Sequence, residues 1–314
     1  MVEKNYIILA HKNPEQIFRL IRSLDDSSSK FFVHVDLKSD LSSFGILESC
    51  SNISIIPQRE NCIWGDFSIV KATLHLLKNV VESGNKGFTI LLSGQDYPIK
   101  SPQKLNDFLG INKESNFIDI QKVEDKWSKK MVRDKIEHYH FIHSQERGHS
   151  NSYSPFFRSS LKQKFRTLFH LLKGRLPFET FQKLLELPQR IPVFTQQYGG
   201  SQWWAFNEKT TENLNSYIEN NYQKLEDYYR FTSAPDEIFF HSVLMNILSA
   251  EKKDHLKPSL TYTNWERKNC ILPVTFDTND LQELSAVDHF FARKFDIDYD
   301  QEIFNLIDNK LLKD

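Results

Sequence analysis

Within the first hundred residues, short apolar runs alternate with segments whose apolar residues recur at helical spacing, and few folds accommodate that alternation. From Tyr6 to His11 an apolar run ends in a polar turn, and Pro14 opens a stretch with Ile17, Leu20, Ile21 and Leu24 on one helical face. Lys30 to Asp36 (KFFVHVD) and Ile53 to Pro57 read as the next strands, Ser68 to Val81 as a helix, and Phe88 to Leu92 (FTILL) as a buried strand. Strands alternating with helices predict an α/β sheet whose function sits at the carboxyl ends of the strands. At those ends stand His11, then His34 and Asp36, then Ser93 to Asp96 (SGQD), which together outline a crevice. Strand-to-helix turns select the same residue types for their own reasons, so both readings stay open on the residues alone.

The charge balance removes whole classes of partner. Lys and Arg number 40 against 41 Asp and Glu, a formal net charge of -1, so no global field points to nucleic acid, and anion binding must be local. No G-x-x-x-x-G-K-[ST] loop occurs, which sets aside a phosphate-loop nucleotidase. The three cysteines, Cys50, Cys62 and Cys270, form no C-x-x-C pair, and the expectation is a reduced, cytoplasmic setting. The start MVEKNYIILAHKNP runs straight into a strand without the apolar core of a signal peptide, and no 18-residue apolar run appears.

Between Pro155 and Arg190 the balance shifts, with eight basic side chains against only Glu179 and Glu186. This segment reads as a basic helical insert in which Phe165, Leu168, Phe169 and Leu172 share one face. A solvated face, a cover for the core and a contact with an anionic membrane surface all fit that pattern. A helix is expected from Lys209 to about Leu225. Later, Asp236 and Glu237 follow Pro235 where a helix should start; two acids there suit capping, and a carboxylate beside a wet cleft also suits a general base. Asp296, Asp298 and Asp300 form a D-x-D-x-D run, but the Gly and Glu of a calcium loop are missing, and turn acids explain it better.

Several blocks in register carry a family resemblance. APDEIFFHSVLMN, LTYTNWERKN and FFARKF are similar to the corresponding blocks of peptide O-xylosyltransferases. FFVHVDLKSD, the IWG at Ile63 to Gly65 and LLSGQDYPIKS at Leu91 to Ser101 also resemble the core-2 and I-branching β-1,6-N-acetylglucosaminyltransferases. Both belong to glycosyltransferase family 14, and the match runs from about His11 to Phe295 except for the basic insert.

The resemblance implies an α/β, GT-A type fold in a single catalytic domain: a Rossmann-like nucleotide-binding half over 1–120, the insert at 155–190, an acceptor and catalytic half over 191–314, and a mixed central sheet. It implies an inverting transfer from a UDP-sugar to a hydroxyl of a glycan or lipid-linked glycan, with no metal and no other cofactor. The family base falls on Glu237. A basic residue at the diphosphate falls on Lys294 and a second on Arg267; His11, Asp36 and Trp64 fall on the donor side, and Asp96, Trp203, Trp204 and Asp236 on the acceptor or sugar side. Adjacent strand residues point opposite ways, so one of the two tryptophans belongs to the core. N-acetylglucosamine is the expected donor sugar and xylose the alternative; a non-catalytic nucleotide-sugar or carbohydrate binder of the same fold is the other class. The animal relatives are disulfide-rich Golgi proteins with a membrane anchor. Three cysteines and no anchor therefore suggest a bacterial-type cytoplasmic enzyme, peripheral at the inner face of the membrane.

Overall fold

The computed structural model describes residues 1–144 and 149–313. Its first half is built as the periodicity requires. Strand β1 (Lys4–Ala10) leads into helix α1 (Pro14–Leu24), and β2 (Ser29–Val35) and β3 (Ile53–Ile55) follow. Helix α2 (Phe67–Glu82) then leads to β4 (Phe88–Ser93). These four strands pair in parallel in the order β3, β2, β1, β4. Tyr6 and Ile8 join one apolar cluster and Ile7 another, so β1 is buried on both faces and needs apolar side chains at nearly every position.

Beyond β4 the sheet changes direction. The strand Trp204–Phe206 pairs antiparallel with β4 and with β6 (Asn116–Ile118), and Leu256–Lys257 lies parallel to β6 on the far edge. Among the described residues this makes a seven-stranded mixed sheet with a Rossmann-like parallel half. A second sheet pairs Phe291–Arg293 parallel with Thr261–Thr263 and antiparallel with β5 (Asp96–Pro98). That small sheet brings Arg293 opposite Asp96, joining the last functional block of the sequence to the SGQD turn after β4.

The basic insert folds as two helices, Leu161–Leu172 and Phe178–Glu186, over a satellite core of Tyr139, Tyr153, Leu176 and Leu184. The helix expected from Lys209 runs from Glu208 to Tyr229. No helix among the described residues is long and apolar enough to cross a membrane.

Gly200 sits where the two halves of the chain press together. A Cβ there would fall 1.6 Å from the Asp119 carbonyl oxygen and 2.8 Å from His241 Nε2, and its N–H donates to the Glu237 carbonyl at 3.0 Å. Gly200→Ala must push that backbone apart, and it should lower Tm by roughly 5 °C or more. A thermal melt indistinguishable from the parent chain would show that the contact yields without cost.

Candidate active site

A cleft of about 780 Å³ opens at the carboxyl ends of the parallel strands, between the turn after β4 and the C-terminal blocks. Four of the five tryptophans line it: Trp64, Trp127, Trp203 and Trp265. Flat apolar faces in a wet cleft suit the apolar face of a pyranose or a base. Trp204 points the other way, stacking on Phe206 at 4.2 Å in the core, as strand alternation demands, and is no part of the acceptor side.

Asp236 and Glu237 are not caps. Pro235–Glu237 forms one 3-10 turn ahead of the helix Phe239–Ile247, whose N-cap is Ile238 with no side-chain bond. The turn follows Ala234, held at φ 48°, whose N–H donates to the Gly65 carbonyl at 2.9 Å. Free of capping, the acids face other partners. Glu237 Oε2 accepts from Lys135 Nζ at 3.0 Å, and the same ammonium donates to the Ser233 carbonyl at 3.0 Å and lies 4.7 Å from the centre of the Trp127 ring. Lys135 is buried while the Glu237 side chain is about a third exposed, so the carboxylate reaches the cleft with its back to a fixed cation.

Asp236 is buried beside it, and its Oδ1 finds no hydrogen-bond partner among the described residues. Burial first, and the negative charge of Glu237 second, push its carboxyl up to about 7, against the pull of Lys135 and Arg293. Arg293 lies between acids: its Nε is 3.5 Å from Asp96 Oδ1, and its guanidinium stacks 4.2 Å from the centre of the Trp203 ring. Burial lowers Arg293 and raises Asp96 from their usual values, each opposed by the other's charge. Asp96 also accepts from the N–H and the hydroxyl of Ser93. Arg293 and Lys294 both line the cleft.

The donor-side candidates divide. Trp64 lines the cleft, whereas His11 and Asp36 stand at the neighbouring ends of β1 and β2, where the Asp36 N–H donates to the Ala10 carbonyl at 2.8 Å. Asp36 is buried and accepts from the Lys38 N–H at 2.9 Å. Backbone bonds connect its loop to the site: the Leu37 N–H donates to the Glu60 carbonyl, and the 60–65 segment then carries Trp64 and Gly65. Arg267 falls outside the lining. Its guanidinium is committed to Asp280 Oδ1 at 2.6 Å and Glu283 Oε2 at 2.8 Å, both of which hold its proton more tightly than usual. It therefore fixes the loop that presents Trp265 and does not face the place assigned to the diphosphate.

Lys135, Trp127 and Trp265 were not marked by the sequence, and Arg293 entered only as the neighbour of Lys294. The turn acids behave as such: Asp296 holds Lys12 and Asn13, and Asp300 accepts from the N–H groups of Thr278, Glu302 and Ile303.

Since Asp236 keeps its proton to about pH 7 in the fold while an unfolded aspartate releases it near pH ~4, the folded chain binds more protons across that window. Stability from this group is present at low pH and falls as pH rises. Asp236→Asn should gain in Tm relative to the parent chain on going from about pH 4 to about pH 8. An equal Tm difference at both ends would mean that Asp236 is ionised in the fold.

A family model described as "Branch: Core-2/I-Branching enzyme" matches residues 5–285. "Xylosyltransferase 2" of Homo sapiens is 26% identical over 325 residues, covering 96% of this chain and 33% of that protein. "Xylosyltransferase" of Ciona intestinalis is 26% identical over 329 residues, covering 98% and 34%, and "Xylosyltransferase 1" of Homo sapiens is 25% identical over 325 residues, covering 96% and 30%. The chain spans about a third of the length of these curated relatives.

Proposed function

This chain belongs to the Core-2/I-Branching enzyme family, and from that premise we propose that it is an inverting glycosyltransferase that moves a sugar from a UDP-sugar to a glycan or lipid-linked glycan hydroxyl without a metal. The observation that carries the reading is the placement of Glu237, Arg293 and Lys294 around one tryptophan-lined cleft.

Glu237 takes the proton of the acceptor hydroxyl as its oxygen bonds to the anomeric carbon. On the opposite face the bond from that carbon to the β-phosphate oxygen breaks, and UDP leaves with the electron pair. One displacement inverts the anomeric centre. Negative charge grows on the departing diphosphate, where Lys294 offers a point charge and Arg293 a planar fork; fixed cations of that kind stabilise the transition state by a few kcal/mol each. Lys135 orients the base and screens it from Asp236, which stays neutral below about pH 7. Trp203, backed by Arg293, and Trp64 supply the stacking faces, and Asp36 and His11 mark the end of the crevice that would receive the nucleoside.

Two donor sugars remain in view. N-acetylglucosamine fits the branching-enzyme side of the family, and the relatives' own names support xylose. A panel of UDP-sugars scored for transfer and for protection against thermal unfolding separates them.

Glu237→Gln should lower kcat by about 10²- to 10⁴-fold while UDP-sugar affinity stays within a few-fold, because the base acts on the acceptor proton. Near-normal turnover would remove Glu237 from that role. Lys294→Ala should weaken UDP binding by about 1.5 to 3 kcal/mol with little change in Tm, as read by titration calorimetry. Unchanged affinity would dismiss Lys294 from the diphosphate. UDP should bind equally well with excess chelator; binding lost under chelation and restored by manganese would overturn the metal-free reading.

A further inference from the structure

The helix Leu161–Leu172 is turned inside out. Leu161, Phe165, Leu168, Phe169 and Leu172 recur at spacings of three and four and so share one face. That face is exposed, with Phe165 73% and Leu172 86% accessible. The face turned toward the protein carries Gln163, buried Thr167 and His170 instead, which bond to neighbours: Gln163 to His138 and the His170 ring to the Tyr153 hydroxyl. A helix that packs polar residues inward and leaves five large apolar ones in water has a partner elsewhere.

Charge says what kind. Lys162, Arg166 and Lys173 flank the apolar stripe on one side and Lys164 on the other. At the N-terminal end of the helix a basic pocket of about 700 Å³ is lined by Lys130, Arg133, Arg158, Lys162, Arg166 and Arg190, with only Asp134 and Glu137 against them. Arg190 is buried there, and its Nε has no hydrogen-bond partner among the described residues. An apolar stripe bordered by cations, with a cationic pocket at one end, is complementary to acyl chains below phosphate headgroups.

We propose that this helix and the basic pocket form a docking surface for an anionic lipid bilayer, the stripe entering the acyl boundary and the pocket seating lipid phosphates. The segment 126–137 has its Trp127 and Met131 in the catalytic cleft and its Lys130 and Arg133 in the basic pocket. Docking would therefore set the cleft beside the lipid surface, where a lipid-linked acceptor presents its glycan. The surface stands apart from the transferase chemistry.

The test is co-flotation of the full chain with vesicles of phosphatidylcholine containing phosphatidylglycerol, against phosphatidylcholine alone. Binding should require the anionic lipid and weaken with salt. Phe165→Ser with Phe169→Ser should weaken it at least tenfold at ~25 cal/mol per Å² of lost apolar contact. Lys162→Ala with Arg166→Ala should weaken it about 30-fold at ~1 kcal/mol per cation. Both pairs replace exposed side chains, and unchanged UDP affinity and Tm would confirm that the fold and the cleft are intact. No binding to the anionic vesicles, or binding indifferent to the two phenylalanines, overturns the proposal. So does displacement by inorganic phosphate alone, which would mark a free-anion site, or a dimer in light scattering that the Phe165/Phe169 variant dissolves, which would mean that a second copy covers the stripe.

Discussion

The ion pair of Arg293 with Asp96 holds the site together. A buried pair is expensive, because each charge gives up water and the Coulomb gain must repay both. Here repayment is shared: Ser93 donates twice to Asp96, and Trp203 covers the guanidinium. The pair fastens β5 to Phe291–Arg293 in register, and that register is what places Lys294 on the cleft wall. Asp236 feels the same guanidinium, so one cation organises the turn after β4, the acceptor-side tryptophan and the acid beside the proposed base.

The proposed base sits within a graded set of charges. Asp236 is neutral over most of the acid range, Glu237 is paired, and Lys135 is packed against Trp127. Two adjacent carboxyls at one turn would repel if both were ionised; burying one and pairing the other separates their behaviour. A protonated neighbour leaves Glu237 the single negative charge facing an incoming hydroxyl.

Much of the first half was legible because its periodicity is strong: β1, α1, β2, α2 and β4 lie within a residue or two of where the apolar spacing sets them. Motif blocks located Glu237, Lys294, Trp64 and Trp203 on the cleft. What stayed hidden was tertiary. Nothing local marks Lys135, which reaches Glu237 across 102 residues. Arg267 lies in a matching block, yet Asp280 and Glu283 compete for its guanidinium, and sequence spacing says nothing of competitors. Pro235 suggested a helix start with acidic caps, whereas the bend at Ala234 put a 3-10 turn there.

The strand Trp204–Phe206 lies between β4 and β6, which precede it by about a hundred residues. The nucleotide half and the acceptor half are therefore interleaved in one sheet and are not consecutive modules. A nascent chain that has exposed only its first 120 residues holds β4 and β6 without the strand that joins them, and both present open edges to other chains. Closing the gap requires contacts of high sequence separation, which makes folding slow and late during synthesis. A chain released early would be held by chaperones or lost to aggregation, and neither half is separable by genetic dissection as a working unit.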